Sequence, residues 1–463
     1  MIWRRFLESV AARPDGVAVS HAGGVVTYAA LLAAAEAAAG RIPSPGGPRP
    51  WRAVIRQADP CALLVHALAC WRQGFAAVVL RDSMTAAQVD EIAGWLRPAV
   101  MLDGPPPHVA ASMPPPAPLG PRDEALVICT SGTTGTPKLV ALPAESVCIT
   151  AATIGASLGL GPADRVAVNT PLGYMYGLMG GCLASLWAGA AIRLFQPRDP
   201  LTQLQAALRR EGITVVQGPP SLFRLFLAYW DGEPFPGVRM VTTGGEPLGA
   251  DLAAGLTRAF PNARRLFLYG MTEAGPRISH LAFEEGGGTD ACVGVPYDHF
   301  DWRIEPVAGS DAGRLVLRGP SMFLGYITRQ GGYEGLDAEG FFHTNDLVTL
   351  DATGRLHFRG RLDRIFRSGG RLVNPEAVER VLASHPDVED AVVSPEEHPL
   401  LGLVPVARVV LRPGAVFDQV ALMAACAAAV EPHALPRRIV PGDAGGLAES
   451  GKRNRPAGPG PRS

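Results

Sequence analysis

The chain has 463 residues, a formal net charge of −1 and 47% hydrophobic residues. It is too long for one core, since single cores stop growing near ~250–300 residues, and it lacks the basic excess that nucleic acid or an anionic membrane surface would demand. Seven scattered cysteines without a C-x-x-C pair argue against a disulfide framework and a zinc site.

Taken from the start, residues 1–8 are charged and no apolar core follows, so no signal peptide is read and a soluble, cytoplasmic protein is expected. Pro/Gly-rich stretches at 42–50 and 103–122 read as loops. Short β-rich runs at 126–129, 166–169, 192–194, 214–217, 240–242 and 266–268 alternate with helical patterns, which predicts an α/β architecture with a largely parallel sheet. The apolar stretch 180–195 is too short to span a membrane and contains Arg193; it reads as a buried helix followed by a strand. From Gly313 the texture changes to short strands at 314–317, 347–350 and 356–358. The last hundred residues carry a helix at 375–384, strands at 388–393 and 404–411, and a helix at 417–430. The fold expected is a large multi-sheet α/β N-terminal domain, 1–361, a small mobile α+β C-terminal domain, 362–455, and a disordered tail, 456–463.

Against forty arginines the chain keeps two lysines, Lys138 and Lys452. Each marks a place where a compact, flexible ammonium does something a planar guanidinium cannot. Lys138 closes the segment Thr130-Ser131-Gly132-Thr133-Thr134-Gly135-Thr136-Pro137-Lys138, directly after an apolar strand. Gly132 and Gly135 permit positive φ, so successive N–H groups can converge on an anion. The hydroxyls add donors and Lys138 a movable charge, a composition suited to holding pyrophosphate. It is not the Walker pattern, because Lys138 follows Pro137 and no Ser/Thr follows Lys138.

This segment resembles the phosphate loop of the adenylate-forming superfamily: acyl-CoA synthetases, peptide-synthetase adenylation domains and luciferases. The resemblance continues in order along the chain. It runs through Val25–Leu31, Pro171–Gly177, Gly244-Gly245-Glu246-Pro247-Leu248, Tyr269-Gly270-Met271-Thr272-Glu273 and Gly325-Tyr326. It ends with Phe342–Asp346, Gly360–Asp363, Ser368-Gly369-Gly370, Pro375–Glu379 and Ser450-Gly451-Lys452. It implies ATP and Mg²⁺ as cofactors, with CoA or phosphopantetheine as acceptor. Thr130, Ser131, Gly132, Thr133, Thr134 and Gly135 would hold phosphate, and Gly244, Gly245, Glu246, Tyr269 and Gly270 the adenine side. By the same resemblance Thr272 donates to the α-phosphate and Glu273 binds the metal. Asp346 accepts from both ribose hydroxyls, and Arg361 contacts ribose or phosphate. Lys452 bridges acid and α-phosphate until the small domain turns about Asp363, and Gly369-Gly370 then lie near a pantetheine arm. The acid pocket would include Tyr174, Gly177, Met271 and Arg277.

The departures bear on substrate. Gly173-Tyr174 stand where many relatives have Phe-His, and no acidic residue lies between Thr170 and Gly181, against an ordinary α-amino acid. Arg277 stands where the family often has a small or apolar residue beside the acyl pocket. It implies either an anionic or strongly polar substrate group, or an arginine that reaches solvent or pairs with Glu273 or Glu246. The reading is an ATP-dependent ligase that turns a small aryl or short acyl acid into its acyl-AMP and passes the group to CoA or an acyl carrier protein, as monomer or homodimer. Transfer to an amine, activation of a non-carboxylate oxyanion, and a nucleotide sensor without turnover stay open as alternatives.

Overall fold

The computed structural model describes residues 1–43, 48–103, 118–130, 138–196, 199–285, 291–368, 371–398 and 402–442. Its contacts group into two units, one made of most of 1–300 with 318–336, the other of 301–317 with the chain from 337 onward.

In the first unit, the apolar runs read from the sequence become strands of two sheets. The eight-stranded sheet runs Ser279–Ala282, Arg264–Tyr269, Met240–Gly244, Val215–Gln217, Arg165–Val168, Ala191–Leu194, Val17–His21, Gly24–Thr27. Its six inner strands pair in parallel and its two edge strands antiparallel. Parallel neighbours need long crossovers, supplied here by helices such as Leu201–Arg210, Pro220–Ala228 and Ala250–Ala259. Val215–Gln217 is buried throughout, as a strand covered on both faces must be.

The seven-stranded sheet runs Tyr333–Glu334, Gly325–Ile327, Lys138–Pro143, Glu124–Thr130, Ala76–Val79, Arg52–Ile55, Val100–Leu102. The helix Pro60–Arg72 links two of these strands and is buried on every side from Pro60 to Trp71, the expected place for a helix apolar all round. Asp59 starts it by accepting the Cys61 and Ala62 N–H groups, and Pro60 fits its first turn. Arg52 donates twice to Glu124, at 2.7 and 2.8 Å, and the Tyr333 hydroxyl donates to the same carboxylate at 2.7 Å.

The stretch expected as buried helix then strand begins earlier than expected. A π-helical segment, Tyr176–Leu183, continues as Ala184–Trp187 and leads to the strand Ala191–Leu194. Glycine is required where it approaches its neighbours: a Cβ at Gly177 would lie 2.4 Å from the Thr170 carbonyl oxygen, and one at Gly181 2.9 Å from the Val168 side chain. Wide helical turns of this kind are rare and recur at functional sites.

In the second unit, Asp301–Glu305, Gly313–Arg318, Phe342–Leu350 and Leu356–Arg361 lie side by side in one sheet. A further sheet joins Arg371–Val373, Phe366–Ser368, Gly402–Leu411 and Val388–His398, with Arg438–Pro441 parallel to Gly402–Leu411. The helices Pro375–Ala383 and Gln419–Ala429 cover it, Val378, Leu382, Leu422 and Cys426 sharing a core with Val393 and Val409 of the strands. Asn374 caps the first of these helices. Arg364, 4% exposed, donates to Glu376 at 2.8 Å and to Glu379 at 2.7 Å.

All seven cysteines are buried and none forms a disulfide. Burial pushes the thiols of Cys148 and Cys426 up to about 11 and that of Cys61 up to about 12. Among the described residues no helix is long and apolar enough to cross a membrane.

Candidate active site

The strand Arg264–Tyr269 ends in a turn that only glycines can make. A Cβ at Gly270 would lie 1.9 Å from the Pro276 carbonyl oxygen, and Gly275, at φ +68°, would set one 2.3 Å from Thr150 Oγ1. Between them Thr272–Ala274 form one 3₁₀ turn. The Ile278 N–H then donates back to the Tyr269 carbonyl at 2.8 Å, and Ser279–Ala282 returns antiparallel. The loop presents Met271, Thr272 and Glu273, each half-buried, beyond the C-terminal end of a parallel strand, the usual address of ligands in open α/β sheets. The neighbouring strand Met240–Gly244 ends beside it: Gly244 pairs with Leu268, and a Cβ there would lie 2.2 Å from the Leu268 carbonyl oxygen. Gly245 follows at φ +87° and is exposed, while Tyr269 is 9% exposed.

Glu273 and Lys138, expected to act on the same phosphates, meet through a residue that the motifs did not single out for a role. The Tyr326 hydroxyl donates to Glu273 Oε1 at 2.6 Å, and Lys138 Nζ stands 4.6 Å from the centre of the Tyr326 ring. Gly325 brings Tyr326 there by pairing with Ala141, on the strand that Lys138 begins. Thr130 pairs with Lys138, its hydroxyl donating to the Lys138 carbonyl at 3.3 Å. The loop residues Ser131, Gly132, Thr133, Thr134 and Gly135 lie outside the described residues, as do Gly369-Gly370, the tail and Lys452. Glu273 Oε2 accepts no hydrogen bond among the described residues. A single half-buried carboxylate suits Mg²⁺, which is held by one or two carboxylates together with the phosphates and water.

Glu246 is engaged inside the protein. Its carboxylate accepts the Ser221 N–H at 3.2 Å and the Ser221 hydroxyl at 3.1 Å, and Arg224 lies 3.5 Å away, so it fastens the start of Pro220–Ala228.

The pocket candidates separate. Tyr174 points to Arg81, whose Nη1 donates to its hydroxyl at 3.3 Å. Tyr176 instead joins Gly177, Gly181, Asn169, Thr170 and Gln217 around a narrow recess. Its hydroxyl lies 2.9 Å from Thr242 Oγ1, and burial pushes it up to about 12 against the opposing pull of Thr242 and the Arg277 charge. Arg277 is 4% exposed, and Nη1 donates to Ser157 Oγ at 3.3 Å. It neither reaches solvent nor pairs with Glu273 or Glu246. His280, three residues on, is held neutral by burial and by the charges of Arg277 and Arg264, its imidazole lowered to about 4.

In the second unit, Asp346 and Arg361 face each other in register on adjacent strands. Arg361 grips both carboxylate oxygens of Asp363, at 2.9 and 2.8 Å, and donates to Asp346 Oδ1 at 3.2 Å. Burial opposes the guanidinium charge, and Asp363, Asp346 and Glu376 outweigh it.

Residues 6–327 match the family described as AMP-binding enzyme, and residues 377–452 the AMP-binding enzyme C-terminal domain. Feruloyl-CoA synthase of Amycolatopsis sp is 28% identical over 445 residues, covering 89% of each chain. The 2-succinylbenzoate–CoA ligase of Geobacillus kaustophilus is 32% identical over 324 residues, 69% of this chain and 65% of the relative. Among solved structures, o-succinylbenzoate CoA synthetase from Bacillus subtilis with its acyl-adenylate superposes with a TM-score of 0.84 at 23% identity, covering 97% of this chain and 96% of that one. The same synthetase bound to ATP and magnesium ion gives 0.83.

Proposed function

The chain belongs to the AMP-binding enzyme family, within the adenylate-forming superfamily, and from that premise we propose that it is an AMP-forming acid–CoA ligase for a small aryl or short acyl acid. An oxygen of the acid's carboxylate attacks the α-phosphorus of ATP, the bond to the β-phosphate breaks, and pyrophosphate leaves. The sulfur of CoA then attacks the acyl carbon, giving up its proton, and AMP departs.

The observation that carries this reading is the link Lys138–Tyr326–Glu273. Two anions are forced together in the first step, so positive charge must be fixed in advance where charge accumulates. The Tyr326 ring steadies the Lys138 ammonium by cation–π attraction, and its hydroxyl leaves one Glu273 oxygen for Mg²⁺, whose contribution is to neutralise phosphate charge. Thr272 is assigned to the α-phosphate, Tyr269 and Gly244-Gly245 to adenine, and the loop 130–135 to phosphate. Asp346 is assigned to the ribose hydroxyls, with Arg361 steadying it. Lys452 bridges acid and α-phosphate, and the small domain, 362–455, turns about Asp363 for the second step. Compartment is read as cytoplasmic, and a carrier-protein phosphopantetheine stays the second acceptor.

The test is pyrophosphate release from ATP and Mg²⁺ with a panel of acids. Lys452→Ala should lower it by more than about 10²-fold while leaving thioester formation from supplied acyl-AMP largely intact. Equal loss of both half-reactions would overturn the alternation of roles, and pyrophosphate silence with every acid would overturn the ligase reading.

A further inference from the structure

Arg277 stands out among the buried charges. It is 4% exposed, its one hydrogen bond goes to the neutral hydroxyl of Ser157, and its Nη2 is buried without any partner. No carboxylate pairs with it among the described residues. Buried guanidinium groups are retained in proteins when they are paired, and native buried polar atoms are overwhelmingly satisfied, so an arginine in this state is matched to a charge that arrives from outside.

Where that charge would sit is given by the neighbours. Arg277 follows the loop that presents Met271, Thr272 and Glu273, and its charge reaches the hydroxyl of Tyr176 on the wall of the recess. The same wall carries Asn169, Thr170 and Gln217, and both polar atoms of the Asn169 amide, the Thr170 hydroxyl and Gln217 Oε1 are also buried without partners. Gln217 is 3% exposed and held by its amide nitrogen to the Gly180 carbonyl at 3.0 Å, so its free oxygen is fixed in place. One unpaired cation with two unsatisfied donors beside it, the Asn169 amide nitrogen and the Thr170 hydroxyl, fits an anionic end of a ligand; Gln217 Oε1 can only accept and does not contribute to that match.

We propose that Arg277 receives a second carboxylate of the substrate, so that the acids activated are dicarboxylic, adenylated at one end and held by Arg277 at the other. This rests on the ligase reading above and names its substrate class. The guanidinium fork can take both oxygens of that carboxylate in parallel hydrogen bonds, with the Thr170 hydroxyl and the Asn169 amide nitrogen as the nearby unsatisfied donors.

The experiment compares matched acids in pyrophosphate release by the full chain: succinate with butyrate, glutarate with valerate, and benzene-1,2-dicarboxylate with benzoate. The diacid of at least one pair should have a kcat/KM about tenfold to a hundredfold higher than its partner, the discrimination expected when a site built to bind a polar group meets an analogue lacking it. In Arg277→Met that ratio should collapse toward one, and Arg277→Lys should restore part of it; because the ratio is internal to each protein, a partly misfolded variant does not distort it. Independently, the preferred diacid without ATP should raise the melting temperature of the wild type and not of Arg277→Met. Monoacids used as well as or better than diacids would overturn this inference and leave the ligase reading standing. Silence with every acid would overturn both.

Discussion

Two arginines in this chain are buried to the same 4%, and they are provided for in opposite ways. Arg364, in the second unit, has two carboxylates within hydrogen-bond distance, Glu376 and Glu379, both from the helix that begins at Pro375. Arg277, in the first unit, has one hydroxyl. The charge of Arg364 is balanced by the fold, so its role is to join the segment after Asp363 to the following helix. That of Arg277 is not, and a group the fold does not complete is where a ligand has leverage. Arg361 lies between these extremes, holding two aspartates while partly open to solvent.

The sharpest way to break the contrast is to delete each charge. Arg364→Met strands two buried carboxylates and should cost about 3–5 kcal/mol of stability in urea denaturation, with Glu376→Gln and Glu379→Gln together restoring much of it; a loss below 1 kcal/mol would mean that the pairing is dispensable. Arg361→Gln removes the ion pairs to Asp346 and Asp363, and should raise the KM for ATP roughly tenfold with a smaller change in Tm. Arg277→Met removes an unbalanced charge, so the ligand-free protein should lose no stability and gain on the order of 1 kcal/mol; a marked loss would show that the guanidinium is paired after all. The smallest effect is a titration. His280 is held down to about 4 in the fold and unfolds to an ordinary value of about 6.5, so the unfolded chain takes up the proton first and stability falls as pH drops through that window. Arg277→Met should raise the His280 value by NMR, though burial, the larger cause, stays. An unmoved His280 would separate the two residues.

Much of this was legible in the sequence because it is local. Tyr269 to Glu273 are consecutive, so one motif carries both the strand end and the turn, and the glycines that permit it, Gly270 and Gly275, are visible as letters. The strands expected at 214–217 and 240–242 appear, as Val215–Gln217 and Met240–Gly244, because short runs rich in valine and threonine mark strands buried on both faces. Where pairing rather than composition decides, the reading stopped short. The strand expected at 388–393 continues to His398, carrying Glu396 and Glu397 across from Val404 and Leu403, since an antiparallel partner overrides poor β-propensity. Tyr326 sits 53 residues from Glu273 in sequence, and nothing in either segment announces that contact. Tyr174, a pocket candidate from the sequence, and Tyr176 stand in one motif, and only the π-helical segment decides which side chain faces the recess. Arg277 was visible as an unusual letter, but whether it met solvent, a glutamate or neither depended on burial.

The seven enclosed thiols have a use at the bench. With every cysteine buried, the folded chain should be nearly silent toward a chromogenic disulfide reagent, so loss of colour during turnover counts free CoA without a protein background. The same reagent added along a denaturant series should report an abrupt release of sulfhydryls, a clock for opening of the core that needs no engineered probe.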